Sequence, residues 1–599
     1  MKKATIYFLT FLTAVWLPQR LVNAQTDNTT YGTGAGVSIT TGDYNTLIGD
    51  SAGPNLSSGS YNVFIGEDAG HNQSTASDNV FIGEDAGYTN TTGSDNVYIG
   101  RYAGRASNCT DCVFIGAEAG EFNRTGIDNT FIGDQAGEDN TTGSDNTFIG
   151  EDSGYNNTTA SDNTAVGSAS LRTCTTGYRN KAAGNEALYD VSNSHHNTGI
   201  GDSAGTDIGQ GIYNTMIGAG AGANTEHADY NTFVGVYAGW DNNRTNNTND
   251  ANRNTYVGVY AGGTNREGSD NTGMGFMADF ATTLSERNTF MGAYCTIGAN
   301  DDNACIIGYN SRSDADNVIA VGSQAEAIGN NTIAIGYLSH IDGNHAVGFG
   351  RGCTINQQRG VAVGYESFIN SQRGIAIGYQ GAIQDSSDEA IAIGYLAEVA
   401  RLSNYAITIG PNSDVNGANS IALGHNNQLT GQNSVSIGAT NTVTANSSVA
   451  AGYGASVTVD SSIVIGYQAS AGHSNAIVIG NGASATGRGE VTIGNSSTQT
   501  IGGSVNWTAT SDGRFKTNVK EDVPGLEFIS KLRPVTYNYD AQAIEQQKGG
   551  QIPSGIVAAM AEKAKIRYSG FIAQEVEAVA KEIGYDFSAV DKPKDSYNT

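Results

Sequence analysis

Near the C-terminus, the stretch Thr510–Lys516 reads TSDGRFK and places a serine five residues before a lysine. A serine hydroxyl is a weak nucleophile until a base takes its proton, and a lysine amine can be that base if burial lowers its pKa. Arg514 would then polarise a carbonyl or pair with Asp512. The same residues also fit a simple turn, in which Ser511 and Asp512 cap a helix and Lys516 is an exposed charge. From these residues alone, both interpretations stay open.

Pairs of acidic residues recur in the turns of the chain, as in Glu67-Asp68, Glu84-Asp85 and Glu151-Asp152. Carboxylate oxygens are ligands that Ca²⁺ prefers, and paired carboxylates also carry out glycoside hydrolysis. The Gly-Gly-x-Gly-x-Asp pattern of calcium-binding β-rolls is absent, and every acidic pair recurs instead of marking one cleft. We therefore interpret these pairs as solvated turns of a scaffold and expect no metal or cofactor. Bound calcium is the alternative.

The chain that must position these groups is organised by a short motif ending in glycine, as in Asp145–Gly150, which reads DNTFIG. From Gly49 to Gly292 the step between closing glycines is nearly always 17 residues, and afterwards it is mostly 14. The later series is Gly308, Gly322, Gly336, Gly348, Gly364, Gly378, Gly394, Gly410, Gly424, Gly438, Gly452, Gly466, Gly480 and Gly494. Short fixed periods indicate a solenoid.

Each period predicts one coil. In Asn419–Gly424 the alternating side chains predict a short strand, and the closing glycine predicts a turn with positive φ. Coils stacked at about 4.8 Å would make the 29 glycine-closed coils a rod of roughly 140 Å. The recurrent asparagine, as at Asn79, Asn96 and Asn146, predicts a stacked amide ladder in preference to a catalytic group.

A coil with two short strands has a thin core and leaves a row of Val, Ile and Leu that needs covering. Association around an axis would cover this row, so we expect a homotrimer. The 14-residue motifs, such as Asn433–Gly438, resemble the head repeats of trimeric autotransporter adhesins over about residues 303–494. The resemblance implies a parallel β-roll in which three chains pack side by side. The 17-residue coils are similar in design, with a longer turn.

Beyond the repeats, three stretches resemble one known domain: Thr510–Lys516, Leu532–Tyr537 and Gly570–Val576. They are similar to motifs of the endosialidase-type intramolecular chaperone, a self-cleaving serine peptidase domain found at the ends of phage tail spikes and fibres. The resemblance implies that the domain templates trimer assembly and then cuts itself off. Because that family continues into further helices, the resemblance also predicts that a chain ending at Thr599 is a truncated form.

The resemblance assigns roles to individual residues. It places the cleaved bond between Thr510 and Ser511, with Ser511 as the nucleophile and Lys516 as its partner. The supporting motif residues are Asp512, Arg514, Gln574 and Glu575.

The N-terminus and the charge predict where the protein acts. Residues 1–24 combine two lysines, an apolar run from Ala4 to Leu17 and small residues before Gln25, which is typical of a secretory signal. No later run is long enough to span a membrane. The net charge is −28, and Lys181 is the single lysine between residues 25 and 510. This acidic rod should repel nucleic acid and anionic membranes, so we expect a secreted or surface protein.

Export makes the six cysteines disulfide candidates. They are Cys109, Cys112, Cys174, Cys295, Cys305 and Cys353. Their spacing does not match a four-ligand zinc site. We predict that Cys109 and Cys112 form a local staple in a coil turn, and that Cys295 and Cys305 form another.

These patterns predict a mainly β protein, with a parallel β-roll or solenoid followed by a small α+β chaperone domain. The expected boundaries are a signal peptide at 1–24, a linker at 25–43, 17-residue repeats at 44–300, 14-residue repeats at 301–505 and the chaperone domain at 506–599. In the last of these we expect a helix near Leu526–Leu532 that Pro534 ends, a strand over Val535–Tyr539, and helices over 556–566 and 573–583.

The leading functional hypothesis is an exported trimeric fibre, with an adhesin-like stalk and a self-releasing assembly domain. Such a protein would bind itself and a host-surface, matrix or glycan receptor that the sequence does not identify. The first alternative is a glycan-degrading enzyme of the tail-spike type. The second alternative is a calcium-dependent binding module.

Overall fold

The computed structural model describes residues 27–245, 247, 250–502, 512–547 and 557–586. They belong to two compact units, residues 1–359 and 360–599. Each unit contains a parallel β-solenoid, and the second also contains a small α+β domain. The predicted fold class is therefore confirmed. The predicted signal segment, 1–24, lies outside the described residues.

The first unit has one row of short strands that runs through all of its described coils. These strands are Thr29–Tyr31, Thr46–Ile48, Val63–Ile65, Val80–Ile82, Val97–Ile99, Val113–Ile115, Thr130–Ile132, Thr147–Ile149, Thr164–Val166, Lys181–Ala183, Thr198–Ile200, Thr215–Ile217, Thr232–Val234, Thr255–Val257, Thr272–Met274, Thr289–Met291, Cys305–Ile307, Ile319–Val321, Ile333–Ile335 and Val347–Phe349. A second row consists of Asp279–Phe280, Thr296–Ile297, Arg312–Ser313, Glu326–Ala327, His340–Ile341 and Thr354–Ile355.

The second unit has both rows of strands. The longer strands are Val361–Val363, Ile375–Ile377, Ile391–Ile393, Ile407–Ile409, Ile421–His425, Val435–Ala439, Val449–Tyr453, Ile463–Ile465, Ile477–Ile479 and Val491–Ile493. The shorter strands are Phe368–Ile369, Ala382–Ile383, Glu398–Val399, Asp414–Val415, Gln428–Leu429, Thr442–Val443, Ser456–Val457, Ser470–Ala471 and Ser484–Ala485.

Strands of successive coils pair in parallel and in register, so that Val63 lies opposite Val80 and Ile65 lies opposite Ile82. The prediction of two strands per coil is wrong for the first part of the chain. Before Asp279 each described coil has one strand, and its long turn takes the place of the second. A turn can do this because its backbone N–H groups donate to carbonyls of the next coil, as Gly87 does to Ala103 at 3.0 Å.

The interior is filled by the middle residue of each strand. In one run of coils this residue is aromatic and fully buried, and the rings stack with centroids 4.6 to 4.9 Å apart. The stacked rings are those of Phe64, Phe81, Tyr98, Phe114, Phe131 and Phe148. In 14-residue coils of the second unit the middle residue is small, as at Ala362, Ala376 and Val464, and Ile369 and Ile383 of the second row are equally buried. The second row of strands thus contributes the larger apolar side chains there.

The predicted asparagine ladder is present and closes one edge of the strand row. Asn62 donates its backbone N–H and its Nδ2 to Oδ1 of Asn45, both at 3.0 Å. The pattern continues with Asn79 and Asn96. In 14-residue coils a serine replaces the asparagine as acceptor, since the Ser434 N–H donates to Oγ of Ser420 at 3.0 Å.

One closing glycine differs from the prediction. Gly348 lies in the middle of the strand Val347–Phe349, at the inward position that alanine holds in neighbouring coils. The turn is made by Gly350, with φ of 136°. Gly350 follows Gly336 by 14 residues, so the period stays regular. Gly336 holds the same place one coil earlier. A Cβ at Gly336 would collide with the Gly350 carbonyl, which explains why the closing position is glycine.

The C-terminal domain contains four described helices, Leu526–Ile529 (α1), Ala541–Gln547 (α2), Val557–Lys563 (α3) and Ala573–Glu582 (α4). The strand Val535–Tyr537 pairs antiparallel with Tyr568–Gly570. Three helices and the first strand lie where the sequence predicts them. Helix α2 was not predicted. The second strand was not predicted either, because a three-residue strand is defined by its partner and not by its own pattern.

Candidate functional site

The predicted cleavage site, Thr510 and Ser511, lies outside the described residues. The residues that follow it form one turn of 3-10 helix, Gly513–Phe515. Asp512 caps this turn by accepting the Arg514 N–H at 2.9 Å. Its carboxylate also accepts hydrogen bonds from the Arg514 guanidinium, at 2.9 Å from Nε. These bonds from Arg514 hold the pKa of Asp512 below its usual range, so of the two roles considered for Arg514 the structure contains the pairing one.

Lys516 ends the same turn. Its backbone N–H donates to the Gly513 carbonyl at 3.2 Å, and its side chain is exposed. Lys516, the expected partner of Ser511, therefore lies at the surface of the single chain.

The other two motif stretches meet each other. Arg533 and Glu575 form a two-pronged ion pair, with Nε of Arg533 at 3.1 Å from Oε2 of Glu575 and Nη2 in contact with Oε1. The pair lowers the pKa of Glu575. Gln574, beside it at the start of α4, is exposed. Arg533 was not among the predicted site residues, although it lies inside one of the three motif stretches and carries the charge that pairs with Glu575.

A shallow depression surrounds this ion pair. It is lined by Lys531, Leu532, Arg533, Phe571, Ile572, Glu575, Val576 and Val579. Beneath it lies a small core of Phe528, Val576 and Ala580, against which Leu532, Val579 and Ile583 pack. The depression lies between α1 and α4, and its lining contains no serine, threonine or cysteine.

Several large apolar side chains in the described part of the C-terminal domain lie outside this core. Phe515 is 75% exposed, Val519 78%, Leu526 83% and Ile529 62%. Apolar side chains of this size are seldom exposed together in a protein that acts as a monomer. The domain therefore carries an uncovered apolar surface on the single chain.

The acidic turns of the solenoid are partly neutralised by basic neighbours. Asp68 pairs with His71 at 2.9 Å, and Asp85 pairs with Arg105 at 3.2 Å. In the same way, Asp152 pairs with Arg172 at 3.2 Å. The glutamates that precede these aspartates, at positions 67, 84 and 151, are exposed. This arrangement agrees with solvated turns of a scaffold.

The cysteines follow the prediction in one place. Cys109 and Cys112 form a disulfide with their Cα atoms 6.5 Å apart. Cys112 occupies a position of the asparagine ladder, and its N–H donates to Oδ1 of Asn96 at 2.9 Å. The second predicted staple is not formed, since Cys295 and Cys305 are both thiols. Cys295 is fully buried, whereas Cys305 holds the half-buried first position of its strand.

The outer face of the strand row carries one column of apolar side chains. The residue after the buried middle position is usually Ile, Val or Met, and it is half-buried or exposed, as for Ile217 (37%), Ile307 (39%), Ile437 (46%) and Ile465 (43%). This is the uncovered row that the alternation of side chains predicts. Among the described residues, no helix has the length and apolar character to cross a membrane.

Residues 511–585 match the model of the peptidase S74 family, described as chaperone of endosialidase. No curated protein matches the chain. The matched region covers the 3-10 turn, the Arg533–Glu575 pair and helix α4, and it follows a long parallel β-solenoid. A chaperone domain behind fibre-like repeats fits a tail-fibre-like protein, and such a domain suggests an extracellular or phage-associated protein.

Proposed function

We propose that this chain is an exported, trimeric, adhesin-like fibre whose C-terminal domain templates trimer assembly and then releases itself by cleavage between Thr510 and Ser511. The observation that carries the proposal is the uncovered apolar surface of a domain that matches the endosialidase chaperone. A chaperone acting within its own molecule needs a surface on which copies meet, and these side chains provide one.

Exposed apolar side chains recur along the chain from the 3-10 turn into α1. Val519 and Val523 are 78% and 68% exposed, and Leu526 follows at 83%. Burying apolar area stabilises association by about 25 cal/mol per Å² before the cost of ordering is subtracted. Three copies that cover this surface around an axis would gain a core that one copy lacks.

The solenoid benefits from the same arrangement. Its outer Ile and Val row repeats once per coil, so a parallel neighbour can bury the row along its whole length. A trimer formed first at the C-terminal domain would align the three chains in register, which is the step that a long repeat cannot specify for itself. Identical coils otherwise permit many shifted pairings.

Cleavage is proposed as a single event. Oγ of Ser511 attacks the carbonyl carbon of Thr510, and Lys516 accepts the hydroxyl proton. The C–N bond then breaks, and the nitrogen of Ser511 takes up a proton to become a free amine. Water hydrolyses the resulting ester, which leaves a carboxylate on Thr510 and restores the hydroxyl of Ser511. No further reactant is required.

Assembly would control this step through Lys516. Its side chain is exposed in the single chain, and only burial against other copies would favour the neutral amine. Cleavage would then follow assembly, and the released fibre could not refold without its template, so it would persist for kinetic reasons.

The test compares purified wild-type chain with Ser511→Ala and Lys516→Ala by intact-mass spectrometry and light scattering. Ser530→Ala and Lys520→Ala are matched controls, because both residues are exposed in the same domain. The proposal expects cut trimers for the wild type and the controls, and uncut trimers for the two site variants. Uncut wild-type trimers would remove the peptidase role, and stable wild-type monomers would remove the templating role as well.

A further inference from the structure

Three glutamates converge in the first unit, away from the C-terminal domain. Glu118 and Glu121 belong to one turn, and Glu138 lies in the corresponding place one coil later. In-register stacking brings them together, and the Phe122 N–H donates to the Glu138 carbonyl at 2.9 Å. One carboxylate oxygen from each glutamate lies within 4.8 Å of the other two.

Glu138 differs from its neighbours in having no partner for its charge. Glu118 is paired with Arg101 at 2.9 Å, and Glu121 with Arg105 at 3.4 Å. Glu138 is 9% exposed, and its Oε2 is buried without a hydrogen-bond partner. Among the described residues, no basic side chain forms an ion pair with it.

An unpaired carboxylate in such a place is costly, because burial removes water and the neighbouring carboxylates repel it. A proton or a cation would relieve this cost without moving the chain. Burial, followed by repulsion from Asp139, Glu118, Glu121 and Asp152, raises the pKa of Glu138 to about 7. Three converging carboxylates, one of them without a basic partner, have the composition of a cation site.

We propose that Glu118, Glu121 and Glu138 form a binding site for one calcium ion that ties two coils of the solenoid together. Three oxygens separated by at most 4.8 Å share a central point no more than about 2.8 Å from each. A shift of a few tenths of an ångström reaches the 2.3 to 2.6 Å that Ca²⁺ adopts. Water would complete the shell of six to eight oxygens.

The ligand chemistry selects the ion. All three donors are carboxylates, whereas zinc sites are built mainly from thiolates and imidazoles. Mg²⁺ requires nearly ideal octahedral geometry at about 2.0 to 2.1 Å, which a cluster spanning two coils does not offer. Arg101 and Arg105 offset part of the negative charge, so we expect a weak site with a Kd on the order of 10⁻⁴ M.

The site is specific to this step of the solenoid. The position held by Glu121 and Glu138 is held by Arg105 one coil earlier and by Tyr155 one coil later. Two stacked carboxylates at this position therefore arise here and not in the adjacent steps. The acidic turn at Glu151 provides a comparison, because Glu151 is exposed.

The experiment titrates calcium chloride into the full chain, freed of metal with EDTA, at pH 7.5 and 0.15 M salt. Calorimetry measures calcium binding, and thermal unfolding measures the shift in melting temperature that calcium causes. Glu138→Gln keeps the shape of the side chain and removes its charge, and Glu151→Gln is the control with the same charge change. Circular dichroism checks that both variants are folded, and Glu121→Gln replaces Glu138→Gln if the latter is not.

We expect wild type and Glu151→Gln to bind calcium equally, and Glu138→Gln to bind at least tenfold more weakly. Magnesium chloride at the same concentration should give a smaller thermal shift than calcium. No calcium response in the wild type would overturn the site and leave a protonated glutamate in its place. An equal loss of calcium binding in Glu138→Gln and Glu151→Gln would overturn the site in favour of general charge screening.

Discussion

Oδ1 of Asn45 accepts two hydrogen bonds from Asn62, one from the backbone N–H and one from Nδ2, each at 3.0 Å. Asn62 repeats the relationship one coil later, because its own Oδ1 accepts the Asn79 N–H at 3.1 Å. Its Nδ2 also donates to the Ala76 carbonyl at 3.1 Å. One side chain thus satisfies polar groups of the coils before and after its own.

Replacing Asn62 by Ala should therefore destabilise the coils around it by about 1 to 3 kcal/mol, the cost of leaving a buried polar group unsatisfied. Hydrogen exchange of the peptide covering residues 76–83 measures the effect locally, and denaturant unfolding measures it globally. Asn55→Ala is the control, because Asn55 is exposed. Equal protection of that peptide in both variants would contradict the structural role of the ladder.

Glu138 predicts a pH dependence for the metal-free protein. Its pKa is raised to about 7 in the folded chain from an ordinary value of 4.5. A raised pKa stabilises the fold fully below pH 4.5, and this contribution is lost as pH rises through 7. The melting temperature in EDTA should fall across this window. In Glu138→Gln the fall should be smaller, whereas in Glu151→Gln it should match the wild type.

The cysteines predict a specific labelling pattern. Alkylation of the denatured, non-reduced chain followed by peptide mass spectrometry should modify Cys295 and Cys305, which are thiols. Cys109 and Cys112 should be labelled only after reduction, because they form the disulfide. In the folded chain Cys295 should react slowly, since burial raises its pKa to about 12. Labelling of Cys109 without reductant would contradict the staple.

The uncovered surface of the C-terminal domain predicts the effect of a charge at its centre. Leu526→Asp should weaken self-association at least tenfold, because Leu526 is 83% exposed in the single chain and is proposed to be buried in the trimer. Gln542→Asp, which adds the same charge at an exposed residue of helix α2, should leave assembly intact. Light scattering of the full chain measures the mass. A Leu526→Asp chain that still forms trimers would place the assembly surface elsewhere.

The repeat is the part of the fold that the sequence predicted best. Strand positions, turn glycines and the asparagine ladder depend on alternation and period, which are local properties written into every coil. Gly348 was the exception, because two glycines two residues apart both fit a closing position. Only the stacked strand, with Gly348 inward and Gly350 at positive φ, distinguishes them.

The groups of the C-terminal domain were only partly predictable. The motif containing Arg533 and the motif containing Glu575 are recognisable separately, but their ion pair joins residues 42 positions apart and depends on how α1 packs against α4. The roles of Ser511 and Lys516 still rest on resemblance. Exposure of Lys516 is a property of the folded chain that no local pattern specifies.

By itself, the sequence determined that this chain is a solenoid of stacked coils followed by a different domain. Period and composition can be recognised without any knowledge of tertiary contacts. Tertiary structure decided the number of strands in a coil, the pairing of the cysteines and the meeting of Glu118, Glu121 and Glu138. Glu121 and Glu138 are 17 residues apart. They become neighbours because parallel, in-register stacking converts one period of sequence into one step between adjacent coils.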